Sequence, residues 1–118
     1  MLAAPRRLGA QARRALQRVE AGRGEAWVPA AALAELLILR ELGRVTIGLP
    51  EIKHAMDAAA GLHFLPLDLH QLDQFAALTA IRDPFDRLIV SAARSLQAVL
   101  ITRDAGLVES GLVDTIWA

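Results

Sequence analysis

Three carboxylates in the second half of the chain stand at positions where they could do chemistry. Asp83 and Asp86 belong to the segment Asp-Pro-Phe-Asp-Arg, and Asp104 closely follows a short apolar segment, Val99 to Thr102. Carboxylate oxygens are the ligands that Mg²⁺ prefers in proteins. In open α/β sheets, ligands gather outside the carboxyl ends of the strands. These residue types therefore indicate a candidate cation site at one edge of a sheet.

The same three acids also have a purely structural interpretation. Asp83 is predicted to cap a helix, with Pro84 at the first helical position and Asp86 in the first turn, where the positive helix end favours an anion. Asp104 equally suits the N-cap of a short helix from Ala105 to Glu109. Pattern alone leaves capping and metal binding open for each of these residues.

Glu35 is the most informative acid in the first half of the chain. It lies in a nearly continuous apolar segment, Ala30 to Leu42, which predicts a helix. The neighbours one helical turn away are all apolar: Ala31, Ala32, Ile38 and Leu39. A carboxylate on an apolar surface is costly unless it is paired, bound to a metal or shifted in pKa. A functional role is therefore favoured over the alternative, a glutamate reaching solvent at the helix edge.

The hydrophobic pattern predicts helices that alternate with short strands. Helices are predicted at Leu8 to Ala21, Ala30 to Leu42, Pro50 to Ala60, Leu69 to Leu78, from Pro84 through Ala93, and Ala105 to Glu109. Strands are predicted at Ala26 to Val28, His63 to Leu67, Val99 to Thr102 and Asp114 to Trp117. This alternation is typical of an α/β sandwich with a largely parallel sheet. Asp68 is expected to cap a helix, with Gln71 at the capping-box spacing, so Asp68 and Asp73 are assigned structural roles.

Composition limits the class of protein. With 118 residues, of which 54% are hydrophobic, residues 1–118 are expected to form one domain. Cysteine is absent, which excludes disulfides and thiolate metal ligands. No apolar segment has the length of a signal-peptide core or of a transmembrane helix. We therefore expect a cytoplasmic protein without a membrane partner.

Charge is unevenly distributed although the net charge is zero. Residues 1–24 contain six arginines and one glutamate, whereas the remainder contains seven basic and twelve acidic side chains. An acidic body could concentrate divalent cations, and a basic flank could meet phosphates or an acidic partner segment. An arginine-rich helix face exposed to solvent explains the same pattern.

The order of these features resembles a PIN domain. The resemblance rests first on Asp-Pro-Phe-Asp-Arg, the apolar helix after it, and the strand that ends in Thr-x-Asp. It extends over almost the whole chain through four further features: Pro5 to Leu8 leading into the first helix, the short strand through Val28, the helix that carries Glu35, and Gly43 to Thr46. The PIN nucleases most similar to it are the VapC-type toxins of bacterial toxin-antitoxin pairs. The resemblance implies a three-layer α/β/α sandwich.

The resemblance also implies a site and an activity. Glu35, Asp86 and Asp104 would be the catalytic and metal-binding acids, while Asp83 and Thr102 would line or order the site. The implied activity is endonucleolytic cleavage of RNA with Mg²⁺ or Mn²⁺. The implied partners are the RNA substrate, a cognate antitoxin protein and a second copy of the chain in a homodimer.

One departure from the family concerns the N-terminus. PIN domains begin with an apolar strand at the centre of the sheet, and the Asp at its end is one of the metal ligands. No such strand precedes the first helix here, so the domain is expected to be N-terminally incomplete. A start codon assigned too late and a real truncation both explain this.

Three functional classes follow. The first is a PIN-type ribonuclease toxin, and the second is a catalytically impaired PIN remnant that acts only as a binding module. The third is another Mg²⁺-dependent α/β enzyme, such as a phosphatase or a receiver domain. The third class is disfavoured because it needs a lysine near the phosphate, whereas the only lysine, Lys53, is predicted in a helix far from the acids in sequence.

Overall fold

The fold was obtained as a computed structural model that describes residues 9–118. The elements in chain order are α1 (Ala10–Glu20), β1 (Ala26–Pro29), α2 (Ala30–Glu41), α3 (Leu49–Ala58), β2 (Leu62–Leu65), α4 (Leu69–Ala77), α5 (Pro84–Leu96), β3 (Leu100–Ile101), α6 (Ala105–Ser110) and β4 (Thr115–Ile116). Leu8, the predicted start of the first helix, and the segment Pro5 to Arg7 lie outside the described residues.

The predicted α/β class and the predicted order of elements are confirmed. Most boundaries differ from the prediction by one or two residues, which is the normal uncertainty of helix and strand ends. Gly43 follows α2 with φ 75°, and Gly111 follows α6 with φ 67°. Glycine adopts this left-handed conformation without a steric penalty, which explains why both helices end there. No helix in residues 9–118 is both long and apolar enough to cross a bilayer.

The strands form two separate parallel pairs. Strands β1 and β2 pair from Ala26 opposite Leu62 to Pro29 opposite Leu65. Strands β3 and β4 pair at Leu100 opposite Thr115 and at Ile101 opposite Ile116. The expected parallel direction is confirmed, but within the described residues the two pairs do not join into one continuous sheet.

In each pair, β1 or β3 directs one backbone edge away from its partner strand. The Ala26 N–H donates to the Gly61 carbonyl at 2.8 Å, and the N–H groups of Leu100 and Thr102 donate to carbonyls of the β4 segment. Because backbone groups alternate in direction along a strand, those of Trp27 and Ile101 point away from their partners. Ala26 and Ile101 line one cavity of about 290 Å³ beneath α1. We call it the inter-sheet cavity, because it is bordered by one strand of each pair.

A hydrophobic core forms where α5 packs against its neighbours. Leu78, Val90 and Leu107 are buried together. Four partly buried apolar residues pack around them: Ile81, Leu100, Leu112 and Val113. Removal of this surface from water stabilises the fold and fixes α5 relative to α4, α6 and β3.

Two arginines of α5 add directed contacts to this packing. Arg87 donates from Nε and Nη2 to the Phe75 carbonyl at 2.9 and 2.6 Å, and its guanidinium lies 3.9 Å from the centre of the Phe75 ring. Arg94 donates to Gln74 Oε1 and to the Leu112 carbonyl. Since helix ends leave carbonyls without intrahelical partners, Arg87 also satisfies the end of α4.

We expect Leu78→Ala to lower the free energy of unfolding by about 2–5 kcal/mol, because it leaves a cavity in this core. Leu69→Ala is the matched control, since Leu69 begins α4, the helix that Leu78 directly follows, and 80% of its surface is exposed, against 4% for Leu78. The control should change stability by less than about 0.5 kcal/mol. Urea unfolding followed by circular dichroism measures both, and equal losses would contradict the core described here.

Candidate active site

Three carboxylates from two helices come together at one end of α5. One carboxylate oxygen each from Glu35, Asp83 and Asp86 lies within 4.8 Å of the others. We call these three residues the acidic cluster. Glu35 and Asp86 are partly buried, and Asp83 is exposed. The cluster is therefore open to solvent on one side and backed by protein on the other.

The start of α5 fixes the two aspartates of the cluster. Asp83 is the N-cap residue, and its Oδ1 accepts a hydrogen bond from the Asp86 N–H at 2.9 Å. Pro84 occupies the first helical position, where its missing N–H leaves no hydrogen bond unmade. The predicted capping arrangement is confirmed. Because Oδ1 binds the backbone, Oδ2 of Asp83 stays available to a ligand.

Glu35 reaches the cluster from α2, which packs against α5. Its sequence environment marked it as a carboxylate on an apolar helix, and it lies partly buried beside Asp83 and Asp86. The separation of about fifty residues meant that sequence could single out Glu35 without giving the geometry of its contact with the aspartates.

Burial and mutual repulsion both oppose ionisation in the cluster. Burial raises the pKa of Glu35, and the charges of Asp86 and Asp83 raise that pKa further. Burial also raises the pKa of Asp86, with additional contributions from Asp83 and then Asp104. Removal from water and nearby like charge are the two standard causes of such shifts.

Asp104 lies near this cluster but caps a different helix. Its Oδ1 accepts a hydrogen bond from the Leu107 N–H at 3.1 Å, which confirms its predicted capping of α6. Its own N–H donates to Thr102 Oγ1 at 3.1 Å. Thr102 therefore orders the backbone that carries Asp104.

The structure groups the acids differently from the expected set of Glu35, Asp86 and Asp104. Asp83, expected to be auxiliary, lies in the three-residue cluster, and Asp104, also within the described chain, lies outside it. Asp104 is still close enough for its charge to raise the pKa of Asp86. The assignment of individual acids as ligands or auxiliaries stays a prediction.

Gln71 is a residue whose role the sequence gave only in part. The Asp68 side chain accepts from the Gln71 N–H at 2.8 Å, as expected for an N-cap. The Gln71 side chain, however, donates from Nε2 to the Pro66 carbonyl at 2.7 Å instead of returning to the Asp68 N–H. The Pro66 carbonyl directly follows the end of β2, so Gln71 joins that strand end to α4. The capping-box spacing was the signal that marked Gln71.

The chemistry of the cluster fits a hard divalent cation. All three donors are carboxylates, the ligand type that suits Mg²⁺ and Mn²⁺ rather than softer metals. Three like charges at this spacing repel one another unless a positive charge lies among them. Burial first, and this repulsion in addition, raise the pKa values of Glu35 and Asp86.

The fold and the site together define an α/β protein with an acidic cluster that could hold a divalent cation. The family model described as PIN domain matches residues 2–110. This chain therefore belongs to the PIN-domain family, whose members are generally nucleases and typically bind a divalent metal. Among curated proteins, none matches the chain.

We expect Glu35→Gln to raise the melting temperature of the metal-free chain at pH 7.5. The folded-state pKa of Glu35 is raised, so the stability contributed by its protonated form is present at acidic pH and is lost as pH rises through that pKa. Because glutamine stays uncharged, the variant does not lose this stability as pH rises. The difference in melting temperature between the variant and wild type should disappear at acidic pH. Calorimetry with a chelator present measures the effect.

Glu41→Gln is the control, because Glu41 is exposed near the end of the same helix. This control should retain the pH dependence of the wild-type chain. A Glu35→Gln protein less stable than wild type at pH 7.5 would show that the Glu35 carboxylate stabilises the fold.

Proposed function

We propose that this protein is a Mg²⁺- or Mn²⁺-dependent endoribonuclease that serves as the toxin of a VapBC-like toxin-antitoxin pair. The observation that carries the proposal is the acidic cluster, in which oxygens of Glu35, Asp83 and Asp86 lie within 4.8 Å of one another. Membership of the PIN-domain family supplies the nuclease class. RNA as the substrate, the choice of cation and the toxin role rest on the resemblance to VapC-type proteins.

The residues that would hold the cation are Glu35, Asp83 and Asp86, with Asp104 next to them. When bound, the cation would lower the pKa of a coordinated water and offset the negative charge of the phosphodiester. The packing of α2 on α5 keeps Glu35 beside the two aspartates, and the Asp83 cap fixes the start of α5. This preorganisation favours a defined coordination geometry over a mobile set of acids.

Positive side chains beside the acids would help to position RNA. Arg82 and Arg103 are exposed and directly precede Asp83 and Asp104 in the chain. Arginine is well suited to phosphate oxygens because its guanidinium donates in pairs. We assign these two residues to contact with the RNA phosphates.

The antitoxin and the second copy of the chain are part of the same proposal. The arginine-rich first 24 residues have a charge opposite to that of an acidic partner segment. An antitoxin that covers the acidic cluster would block RNA and cation access together.

In the protein completed by the strand expected upstream of Met1, we expect Asp86→Asn to reduce cleavage of single-stranded or looped RNA by more than about 100-fold, whereas the 118-residue chain alone should cut weakly or not at all. Loss of residues that only support metal ligands already costs about 10–100-fold. The fold should survive, because the Asp83 cap is made to the Asp86 backbone N–H. Cleavage of a labelled RNA with Mg²⁺ or Mn²⁺, and with a chelator as the blank, measures the effect.

Asp73→Asn provides the control, since Asp73 is an exposed acid of α4 outside the acidic cluster. Full activity in this control and near-complete loss in Asp86→Asn are the expected results. Cleavage by Asp86→Asn at the wild-type rate, or wild-type cleavage in the chelator, would reject the proposed metal-dependent mechanism.

A binding module with impaired catalysis is the second candidate function, and the division of the sheet favours it. The backbone edges at Trp27 and Ile101 have no strand partner among the described residues, and Ala26 and Ile101 line the inter-sheet cavity. Unpaired strand edges readily accept an added strand. We infer that an extended strand parallel to β1 and β3 belongs here. A strand supplied by a partner or a second copy would make the chain a binding module, whereas a strand encoded upstream would, by the family resemblance, carry one further acid and restore the nuclease.

The nucleotide sequence upstream of the Met1 codon tests this inference. An in-frame apolar segment that ends in Asp-Thr should, when added to the chain, raise its melting temperature and convert an oligomeric or poorly soluble protein into a defined species. Sedimentation measures the second effect. A well-folded monomer of the 118-residue chain that does not change on this addition would remove the support for an added strand.

A further inference from the structure

An apolar pocket shares both of its main walls with the acidic cluster. Its volume is about 210 Å³, and it is lined by residues of α2, α4 and α5 together with Pro29 and Leu67. The wall from α2 includes Ala31 and Ala34, and the wall from α5 includes Phe85 and Leu88. We call this cavity the apolar pocket.

Chain connectivity places the pocket directly beside the acids. Ala34 precedes Glu35 in α2, and Ala31 lies one turn earlier. Phe85 precedes Asp86 in the first turn of α5. A ligand group in the pocket would therefore contact the same two helix segments that carry the acidic cluster.

The pocket contains one buried polar side chain, Gln71, which is only 2% exposed. Its Nε2 donates to the Pro66 carbonyl at 2.7 Å, and this bond fixes the orientation of the amide. No hydrogen bond within the described residues is made to its Oε1. An amide oxygen with free lone pairs at the wall of an apolar cavity can accept a hydrogen bond from a ligand N–H.

We propose that the apolar pocket is a subsite for one nucleobase of the RNA next to the cleaved phosphodiester. This proposal rests on the nuclease function proposed above. The base would stack against Phe85 and pack between the alanines of α2 and Leu88. Its N–H edge would donate to Gln71 Oε1. RNA-binding proteins commonly recognise single-stranded RNA by stacking unpaired bases on aromatic rings and binding their edges.

The small volume and the uncharged lining of the apolar pocket favour a nucleobase over a larger molecule or a phosphate group. Pockets for drug-sized molecules have about 300–1,000 Å³, so this smaller cavity suits a single ring system. None of its lining residues is charged, so it does not suit a phosphate group. The sugar and phosphate would stay outside, where the acidic cluster and the neighbouring arginines lie.

The test uses nuclear magnetic resonance with the full chain in a chelator, so that binding is measured without cleavage. The probes are the four dinucleoside monophosphates ApA, CpC, GpG and UpU, with inorganic phosphate as the blank. We expect at least one dinucleotide to shift the amide signals of Ala34, Phe85 and Gln71 in a saturable way, whereas phosphate should leave them unchanged. No saturable shift with any of the four, or the same shift with phosphate, would overturn the proposal.

Ala31→Leu tests the location, because the larger side chain would fill the pocket without adding charge. Affinity for the dinucleotide that binds should fall by about 5- to 100-fold, the range expected for loss of one stacked base. Ala58→Leu is the matched control, an exposed residue at the end of α3 that should bind like wild type. Unchanged affinity in Ala31→Leu would place the base elsewhere.

Cleavage assays separate this proposal from the proposed nuclease function. An Ala31→Leu protein that binds and cuts RNA like wild type would reject the nucleobase subsite and retain the nuclease. A chain that binds a dinucleotide in the pocket but cuts no RNA would retain the subsite and reject the nuclease. Signals shifted only by an apolar peptide, and by no dinucleotide, would assign the pocket to a protein side chain.

Discussion

Electrostatic repulsion among three close carboxylates is the constraint on which this site depends. Glu35, Asp83 and Asp86 are held within a few ångströms although burial and mutual charge raise the pKa of Glu35 and Asp86. The packing of α5 in the core and the Arg87 contact with Phe75 oppose this repulsion. The free energy of packing among the helices therefore holds the three carboxylates close together despite their mutual repulsion.

Two of the neighbouring acids also act as structural residues. Asp83 caps α5, and Asp104 caps α6. Each of these carboxylates accepts a backbone hydrogen bond through Oδ1, which leaves Oδ2 for a ligand. Capping and cation binding are thus compatible in one residue, and the two interpretations of these aspartates need not exclude each other.

The division of the strands into two pairs also concerns the site of the acids. The inter-sheet cavity is bordered by β1 and β3, and Glu35 and Asp104 lie on the segments that directly follow these two strands. A strand placed between them would pair with both free edges and would end among the acids, because ligand sites form at the carboxyl ends of parallel strands. The added strand proposed above would therefore extend both the sheet and the acidic site.

Sequence by itself determined the features that depend on a few neighbouring residues. The caps at Asp83 and Asp104 are local, because each side chain accepts from a backbone N–H three residues later. The glycine after α2 acts through its own φ, and the alternation of helices with strands follows from the hydrophobic pattern. Tertiary structure alone decided that Asp83 joins Glu35 while Asp104 lies outside the cluster, and that the strands form two pairs. These outcomes depend on how helices and strands that are far apart in the sequence pack together. The residue pattern within one element does not reveal which of the alternative packings has the lowest free energy.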